Sequence, residues 1–110
     1  MTETEIMREI LVAVTALPET IAWRNNSGVA VTAARQVVRF STPGAPDILG
    51  VRRGRGFGIE VKTSTRRQSK EQRAFQRAFE RAGGLYILAR SVDDALAALS
   101  SVGDALAALT

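Results

Sequence analysis

Three charged residues lie next to or within runs of residues that are typical of buried β-strands. Asp47 comes just before the apolar run at 48–51, and Glu60 and Lys62 interrupt a second apolar run, FGIEVK, at 57–62. A charge close to a protein core is costly unless it is paired or binds a metal ion. These side chains therefore form either a structural ion pair or a reaction site.

The alternation of side chains along a strand predicts which of these groups can meet. In FGIEVK the apolar side chains point to one face, which should cover the core, so Glu60 and Lys62 share the other face. A glycine-containing hairpin, RRGRG, joins the two runs and brings Asp47 beside them. Two carboxylates can hold a divalent cation, and a lysine can position a water or neutralise charge on a phosphate. The pattern suits metal-assisted hydrolysis of a phosphodiester.

The composition excludes several other chemistries. The chain has no cysteine and no histidine, which excludes disulfides, thiolate or imidazole metal ligands and histidine-based catalysis. Any metal must be bound by oxygen, which favours Mg²⁺ or Mn²⁺. The N-terminus is polar and partly acidic, and no apolar run is long enough to cross a bilayer, so we expect a cytoplasmic protein without a membrane partner.

Positive charge is concentrated in one part of the chain. The net charge is +4, but the segment 52–81 holds ten basic and three acidic residues, a local net charge of +7. Such a block favours a polyanionic partner such as nucleic acid. The alternative is a solvated, arginine-rich surface that serves solubility.

The pattern of elements predicts one mixed α/β domain over residues 1–110. A helix over 2–16 capped by Thr2 comes first, followed by five strands, a helix capped by Ser69, a strand and a helix that begins after Ser91. This order is typical of a mixed central sheet flanked by helices. The segment SVDDALAAL is repeated almost unchanged as SVGDALAAL, so residues 100–110 are expected to form a helical extension that serves packing or dimerisation.

Pro46-Asp47 followed by Glu60-Val61-Lys62 matches the PD-(D/E)xK nuclease pattern. The surrounding words WRNNSG, VRFSTPGAPDILG, GIEVKT, SKEQ and AGGLYILARSVDDAL extend this match, and the chain resembles the virus-type replication-repair nuclease (VRR-NUC) family from residue 3 to about residue 99. The resemblance implies a restriction-endonuclease-like fold. It also implies a metal ion bound by Asp47, Glu60 and the main-chain carbonyl of Val61, with Lys62 as the catalytic lysine.

The resemblance adds two further site residues. Gln72, on the helix after the second motif, matches a glutamine that the family uses, although it also fits a capping box. A glutamate of the first helix completes the family's site; Glu3 is our choice, and Glu5 and Glu9 remain alternatives. One turn after Glu3, where many relatives carry Glu or Gln, this chain has Met7.

Candidate phosphate contacts come from the basic segment and from the loop near Trp23. They are Arg24, Asn26, Arg52, Arg53, Arg55, Arg66, Arg67, Lys70, Arg73 and Arg77. Phe75, Ala78, Phe79 and Ala82 are expected to form the buried face of the second helix, with the basic residues on a different stripe. Trp23 is expected to pack in the core or against a strand, and stacking on a nucleobase is the alternative.

The sequence thus predicts a metal-dependent, structure-selective DNA endonuclease. The resemblance implies branched DNA, such as a four-way (Holliday) junction, as the substrate and a homodimer as the active form. The first alternative is a DNA-binding module of the same fold that does not cut. The second is an interaction domain whose arginines bind an acidic protein.

Overall fold

The computed structural model describes residues 1–26, 28–40 and 42–102 of the chain. The helices are α1 (Glu3–Thr15), α2 (Lys70–Arg81) and α3 (Val92–Ser100). The strands are β1 (Thr20–Arg24), β2 (Gly28–Val31), β3 (Val37–Phe40), β4 (Ile48–Arg52), β5 (Arg55–Val61) and β6 (Leu85–Ala89). The predicted order of elements is confirmed, and so are the caps at Thr2, Ser69 and Ser91.

Four strands form a mixed sheet in the order β1-β4-β5-β6. β4 pairs antiparallel with both β1 and β5, whereas β6 lies parallel to β5 and is reached through α2. The β4–β5 hairpin turns at Arg53 and Gly54, both with positive φ, which the tight two-residue turn of a twisted hairpin requires. The protein is therefore mixed α/β, with helices on both sides of this sheet.

The core lies between the sheet and the helices α1 and α3. Phe57, Ile59 and Val61 are buried on one face of β5, as the alternation predicts, and they belong to one cluster with Ile10 of α1 and Leu99 of α3. Each fully buried side chain of this size stabilises the fold by about 1.5–3 kcal/mol. The apolar face of β5 thereby directs Glu60 and Lys62 to the opposite side of the sheet.

Helix α2 lies on that opposite side and covers it only in part. Phe75 and Phe79 are half-buried and their ring centroids lie 5.5 Å apart, but Ala78 and Ala82 are exposed. The predicted buried face of α2 is wrong in these two positions. The helix lies over β5 and β6, where the Phe79 ring packs closely on Gly84, and it leaves the outer half of the sheet bare.

The remaining two strands, β2 and β3, form a separate antiparallel ribbon. Val31 and Val37 are paired in it and both are exposed. An isolated two-stranded ribbon is only marginally stable in water, because it has no second layer to bury its apolar residues.

Within the described residues, no helix combines the length and the apolar character needed to cross a membrane. Most of the second copy of the C-terminal repeat, residues 103–110, lies outside the described residues. The predicted helical extension and its role in dimerisation therefore stay predictions, as does the assignment of a single domain to 1–110.

Candidate active site

The β4–β5 hairpin brings Asp47 and Glu60 to the same end of the sheet. Ile48 pairs with Ile59, and continuing this register by one residue places Asp47 opposite Glu60. The Val61 N–H donates a 2.8 Å hydrogen bond to Oδ2 of Asp47, which fixes the aspartate against the end of β5. The predicted approach of these two carboxylates is confirmed, on the face that also carries Lys62.

Glu60 and Lys62 are buried although both are charged residues. Only 4% of Glu60 and 6% of Lys62 is exposed. Nζ of Lys62 lies 3.7 Å from Oε1 of Glu60, and Nε2 of Gln72 donates a 2.9 Å hydrogen bond to the same oxygen. The second oxygen of Glu60, Oε2, is buried and has no hydrogen-bond partner among the described residues. When one of the two carboxyl groups is protonated, Glu60 and Asp47 can share a hydrogen bond; when both are ionised, this oxygen has no donor and is available to a cation.

Gln72 forms the predicted capping box and also contacts Glu60, while its role in a reaction stays a prediction. Its Oε1 accepts from the N–H of Ser69, completing the capping box of α2, while its Nε2 holds Glu60. The loop that leads to Asp47 packs on the same helix end: Gly44 has φ +81°, and a Cβ there would lie 2.2 Å from the Glu71 carbonyl oxygen. Close packing of this loop fixes Asp47 relative to Gln72.

Burial changes the acidity of both carboxyl groups. It raises the pKa of Glu60 to about 8, and the neighbouring Asp47 carboxylate adds to the rise, while the Lys62 ammonium opposes it. Burial also raises the pKa of Asp47 above its usual range, and the hydrogen bond from the Val61 N–H opposes that rise. Two like charges in a poorly solvated site repel each other unless a cation neutralises them.

Among the three glutamates of α1, Glu3 lies nearest to this site. Its Oε1 lies 3.4 Å from both the Thr63 nitrogen and Nη1 of Arg66, just after β5. Glu5 is exposed and its carboxylate accepts from Thr2, and Glu9 is exposed beside a different groove. Met7 is 5% exposed and belongs to the core, so it packs rather than coordinates.

Glu3 and Asp47 both line a polar cleft of about 160 Å³. The other lining residues are Thr4, Met7, Arg24, Asn25 and Asn26. Arg24 and Asn26 are exposed at the cleft, as expected of groups that contact a phosphate. The cleft joins the end of β1, the N-terminus of α1 and the aspartate, and so provides an approach to the carboxylates.

The donor set fits a hard divalent cation. Asp47 and Glu60 supply carboxylate oxygens, and Oε2 of Glu60 has no other partner. Lys62 N–H donates to β6 at Ala89, whereas Val61 N–H donates to Asp47. Because the N–H and C=O of one strand residue point to the same edge, the Val61 carbonyl is directed toward Asp47.

Within the described residues, no group of three or more acidic, histidine or cysteine side chains is close enough to bind a metal. Glu3 therefore does not lie close enough to Asp47 and Glu60 to form a set of three carboxylate ligands with them.

The prediction that Arg52 contacts DNA is wrong. It does not lie at the exposed hairpin tip but is 4% exposed. Its guanidinium donates to the Leu99 carbonyl (3.0 Å), the Pro18 carbonyl (2.6 Å) and Oγ1 of Thr20 (2.9 Å). These carbonyls lie at or just beyond the C-terminal ends of α3 and α1, where the helix dipoles are negative. The arginine fixes the far end of the sheet and cannot contact a phosphate.

The other predicted basic contacts are exposed, but they do not all lie beside the carboxylates. Arg53 pairs with Glu19 at 3.1 Å, Arg55 donates to the Gly83 carbonyl, and Arg66 pairs with Glu3. Arg67 and Lys70 lie between β5 and the start of α2 and are exposed.

The stripe on α2 points away from Glu60. Arg73 and Arg77 follow Gln72 by one and five residues, about 100° and 140° around the helix. Both are exposed, and Arg73 donates to the Gln68 carbonyl. A nucleic acid seated on the carboxylates therefore meets the outer face of α2 only if it bends or extends around the helix.

Two positioning residues were missed by the sequence analysis. Asn25 donates from its backbone to the Asp47 carbonyl and from its side chain to the Pro46 carbonyl, holding the turn before β4. Arg90 donates to the Thr63 and Arg66 carbonyls and so fixes the chain that follows Lys62. Asn25 lies within the quoted word WRNNSG, which is a signal that was available; Arg90 has no local signal, because its partners are 24 or more residues away.

The sequence matches no protein-family model, and it matches no curated protein at a significant level. The resemblance to the VRR-NUC family therefore rests on the motif words alone. The arrangement of Asp47, Glu60, Lys62 and Gln72 is an independent observation about the molecule, and it can bring oxygen ligands, a cation and a buried amide to one point at the end of the sheet.

Proposed function

We propose that this protein is a metal-dependent endodeoxyribonuclease with a restriction-endonuclease-like fold, related to the VRR-NUC family. The observation that carries the proposal is the buried Oε2 of Glu60, which has no partner within the described residues and belongs to a carboxylate held beside Asp47 and Lys62. A purely structural ion pair would be expected to satisfy its oxygens, because an unsatisfied buried acceptor lowers stability.

Each residue of the proposed site has a distinct chemical role. Asp47, Glu60 and the Val61 carbonyl would hold Mg²⁺ or Mn²⁺, which when bound supplies Lewis-acid activation of a phosphodiester and a more acidic water. Lys62 places a positive charge beside the reacting phosphate and orients water, since its ammonium is held on the same face. Gln72 keeps the Glu60 carboxylate in position. Glu3 lines the cleft and ties the segment after Lys62 to α1.

The substrate we propose is branched DNA, including four-way junctions, cut by a homodimer. Support comes from the family resemblance and from size: one domain of 110 residues covers only a short stretch of duplex. A twofold axis would match the symmetry of a junction. Exposed basic groups, such as Arg24 and Arg67, would contact phosphates, which orient a duplex without reading its sequence.

A DNA-binding module that does not cut is the second candidate. It is favoured by the lack of a third acidic ligand close to Asp47 and Glu60 in the described part of the chain, and by Met7, which packs in the core at the position where many relatives carry Glu or Gln.

The two lysines of the chain provide a matched test. Lys62 is buried beside Glu60, whereas Lys70 is exposed at the start of α2. We expect a synthetic four-way junction to be cut in Mg²⁺ or Mn²⁺ and not in EDTA. We expect Lys62→Met to slow cutting about 10²–10³-fold, and Lys70→Met to change it less than about fivefold.

Junction binding without cutting by the wild-type protein would support the second candidate. Cutting in EDTA, or equal rates for Lys62→Met and wild type, would contradict the proposed site. A second readout does not need activity: Mn²⁺ should raise the melting temperature of the wild-type protein and leave that of Glu60→Gln unchanged, because a ligand stabilises only the state that binds it.

A further inference from the structure

Trp23 is the large aromatic side chain that the proposed mechanism leaves unused. It is 48% exposed, so it does not pack in the core, which was one of the two kinds of packing expected for it. Burying an indole is worth more than burying most other side chains, so a tryptophan half exposed on a sheet strand indicates a surface that is covered by something else.

Its place in the sheet puts it on the same face as the carboxylates. Trp23 pairs with Leu49 across β1 and β4, and Leu49 in turn pairs with Gly58 of β5. Side chains two residues apart on a strand share a face, so Asp47 and Leu49 point to the side of Trp23. Trp23 and Asp47 are then diagonal neighbours, about 7–8 Å apart.

Helix α2 does not reach this part of the sheet. Ile21 and Val51 flank Trp23 on the same face and are 65% and 39% exposed. The result is a small apolar shelf whose one aromatic ring lies next to the aspartate. Arg24 and Asn26, both exposed, follow Trp23 directly and border the cleft that leads to Asp47.

We propose that Trp23 is a stacking site for an unpaired nucleobase within one or two nucleotides of the phosphate to be cut; this rests on the proposed nuclease function. Stacked nucleotides of one strand are 3.4 Å apart, so 7–8 Å spans about two of them. An indole can stack on any base, but only on one whose face is not already covered by a neighbour in a duplex. A second protein chain seated on the shelf would instead crowd the approach to Asp47.

The proposal gives a structural basis for choosing branched DNA. At a branch point the bases next to the exchange are the ones that most easily leave the stack. Trp23 would bind such a base, and the carboxylates would then meet the adjacent backbone. Continuous duplex offers phosphates to Arg24 and its neighbours but no free base face, so it should bind with lower affinity.

The intrinsic fluorescence of the protein reports this contact directly, because Trp23 is its only tryptophan. The wild-type protein is titrated in EDTA with an oligothymidylate, a four-way junction and a continuous duplex of equal length. We expect the first two to quench the emission, and the duplex to quench it little at equal saturation. Quenching that is the same for duplex and unpaired DNA, or binding without quenching, would overturn the proposal.

Variants test the same contact by affinity, measured as the anisotropy of labelled DNA. Trp23→Ala should weaken binding of oligothymidylate about 5- to 100-fold, Trp23→Phe should restore most of it, and Ile21→Ser, the control on the same shelf, should change it less than about twofold. Circular dichroism checks that each variant is folded. Equal loss for Trp23→Phe and Trp23→Ala, or for Ile21→Ser, would contradict stacking.

Two further outcomes separate the possible failures. A blue shift of the emission on raising the protein concentration without DNA would show that a second copy covers Trp23, which overturns the inference. Quenching by unpaired DNA in a protein that cuts nothing in Mg²⁺ or Mn²⁺ would remove the nuclease proposal while the base-binding site stands.

Discussion

The two ends of the β4–β5 hairpin both bury charged groups, but the hydrogen bonding of those groups differs. At the turn end, the Arg52 guanidinium donates three hydrogen bonds to two carbonyls and a hydroxyl. At the open end, Glu60 has one oxygen held by Gln72 and one without a partner among the described residues. Both residues are 4% exposed, so burial alone does not distinguish them.

The difference is between a charge whose acceptors lie within the fold and a carboxyl group with one oxygen that the proposed site would use. Arg52 has its acceptors within the fold, so it holds β4 against the ends of α1 and α3. Burial raises the pKa of Glu60 and the neighbouring Asp47 carboxylate adds to the rise, so the ionised group costs stability in the absence of a cation. Strongly shifted pKa values of this kind are concentrated at functional sites, where a bound ligand can offset the loss of stability. The sequence places charged residues at both ends, and only the hydrogen bonds show which end is saturated.

The largest effect is expected for Glu60→Gln. Glutamine has nearly the shape of the protonated acid and keeps an acceptor for Gln72, but it is a much weaker cation ligand. We expect cutting of a four-way junction to fall about 10²–10³-fold. The free energy of unfolding at pH 7 in metal-free buffer should rise, by up to about 3 kcal/mol, because glutamine needs no proton, whereas Glu60 must take one up to enter a fold in which its pKa is about 8 rather than 4.5. Retained activity, or a large loss of stability, would place Glu60 with Arg52 as a structural charge.

Arg52→Met should show the opposite pattern. Removing the guanidinium removes three hydrogen bonds from a charged donor, although the Leu99 carbonyl keeps the Val102 N–H and the Pro18 carbonyl keeps the Thr20 hydroxyl. We expect a loss of about 3 kcal/mol in the free energy of unfolding, measured by urea denaturation. The DNA affinity of the folded fraction should be unchanged. Arg81→Met, on the exposed side of α2, is the control and should cost less than about 0.5 kcal/mol. A stable Arg52→Met that binds DNA poorly would restore the original prediction of a phosphate contact.

The pH dependence of stability should follow from the raised pKa of Glu60. In the unfolded chain this group titrates near 4.5, whereas in the fold its pKa is about 8. Between these values the folded state holds a proton that the unfolded state has released. The free energy of unfolding in metal-free buffer should therefore decrease as pH rises through this window. Urea titrations at several pH values would measure the slope, and Glu60→Gln should flatten it; equal slopes in the two proteins would show that other groups cause the dependence.

The smallest effect concerns single phosphate contacts. Arg24 is exposed at the cleft beside Asp47, so Arg24→Gln should reduce the slope of log affinity against log salt concentration by about 0.9. Arg8→Gln removes an equal charge from the exposed side of α1 and should leave the slope unchanged. Equal slopes for wild type and Arg24→Gln would indicate that the DNA does not cross this cleft.

Local chemistry explains why much of the fold could be predicted. The caps at Thr2, Ser69 and Ser91 and the alternation in FGIEVK depend on neighbours within a few residues, and all of them agree with the structure. The meeting of Asp47 with Glu60 was also predictable, because a short hairpin fixes which residues lie opposite each other.

Local sequence patterns were enough to place the elements, the side of β5 that carries Glu60 and Lys62, and the acidic pair at the hairpin's open end. Only the tertiary structure decided that Arg52 is buried, that Ala78 and Trp23 are not, and that Glu3 reaches Thr63. The reason is that these facts depend on which helix covers which part of the sheet. Contacts between residues distant in sequence, such as Arg52 with the Leu99 carbonyl, leave no periodic signal, because an arginine fits an exposed position equally well and every residue has a carbonyl.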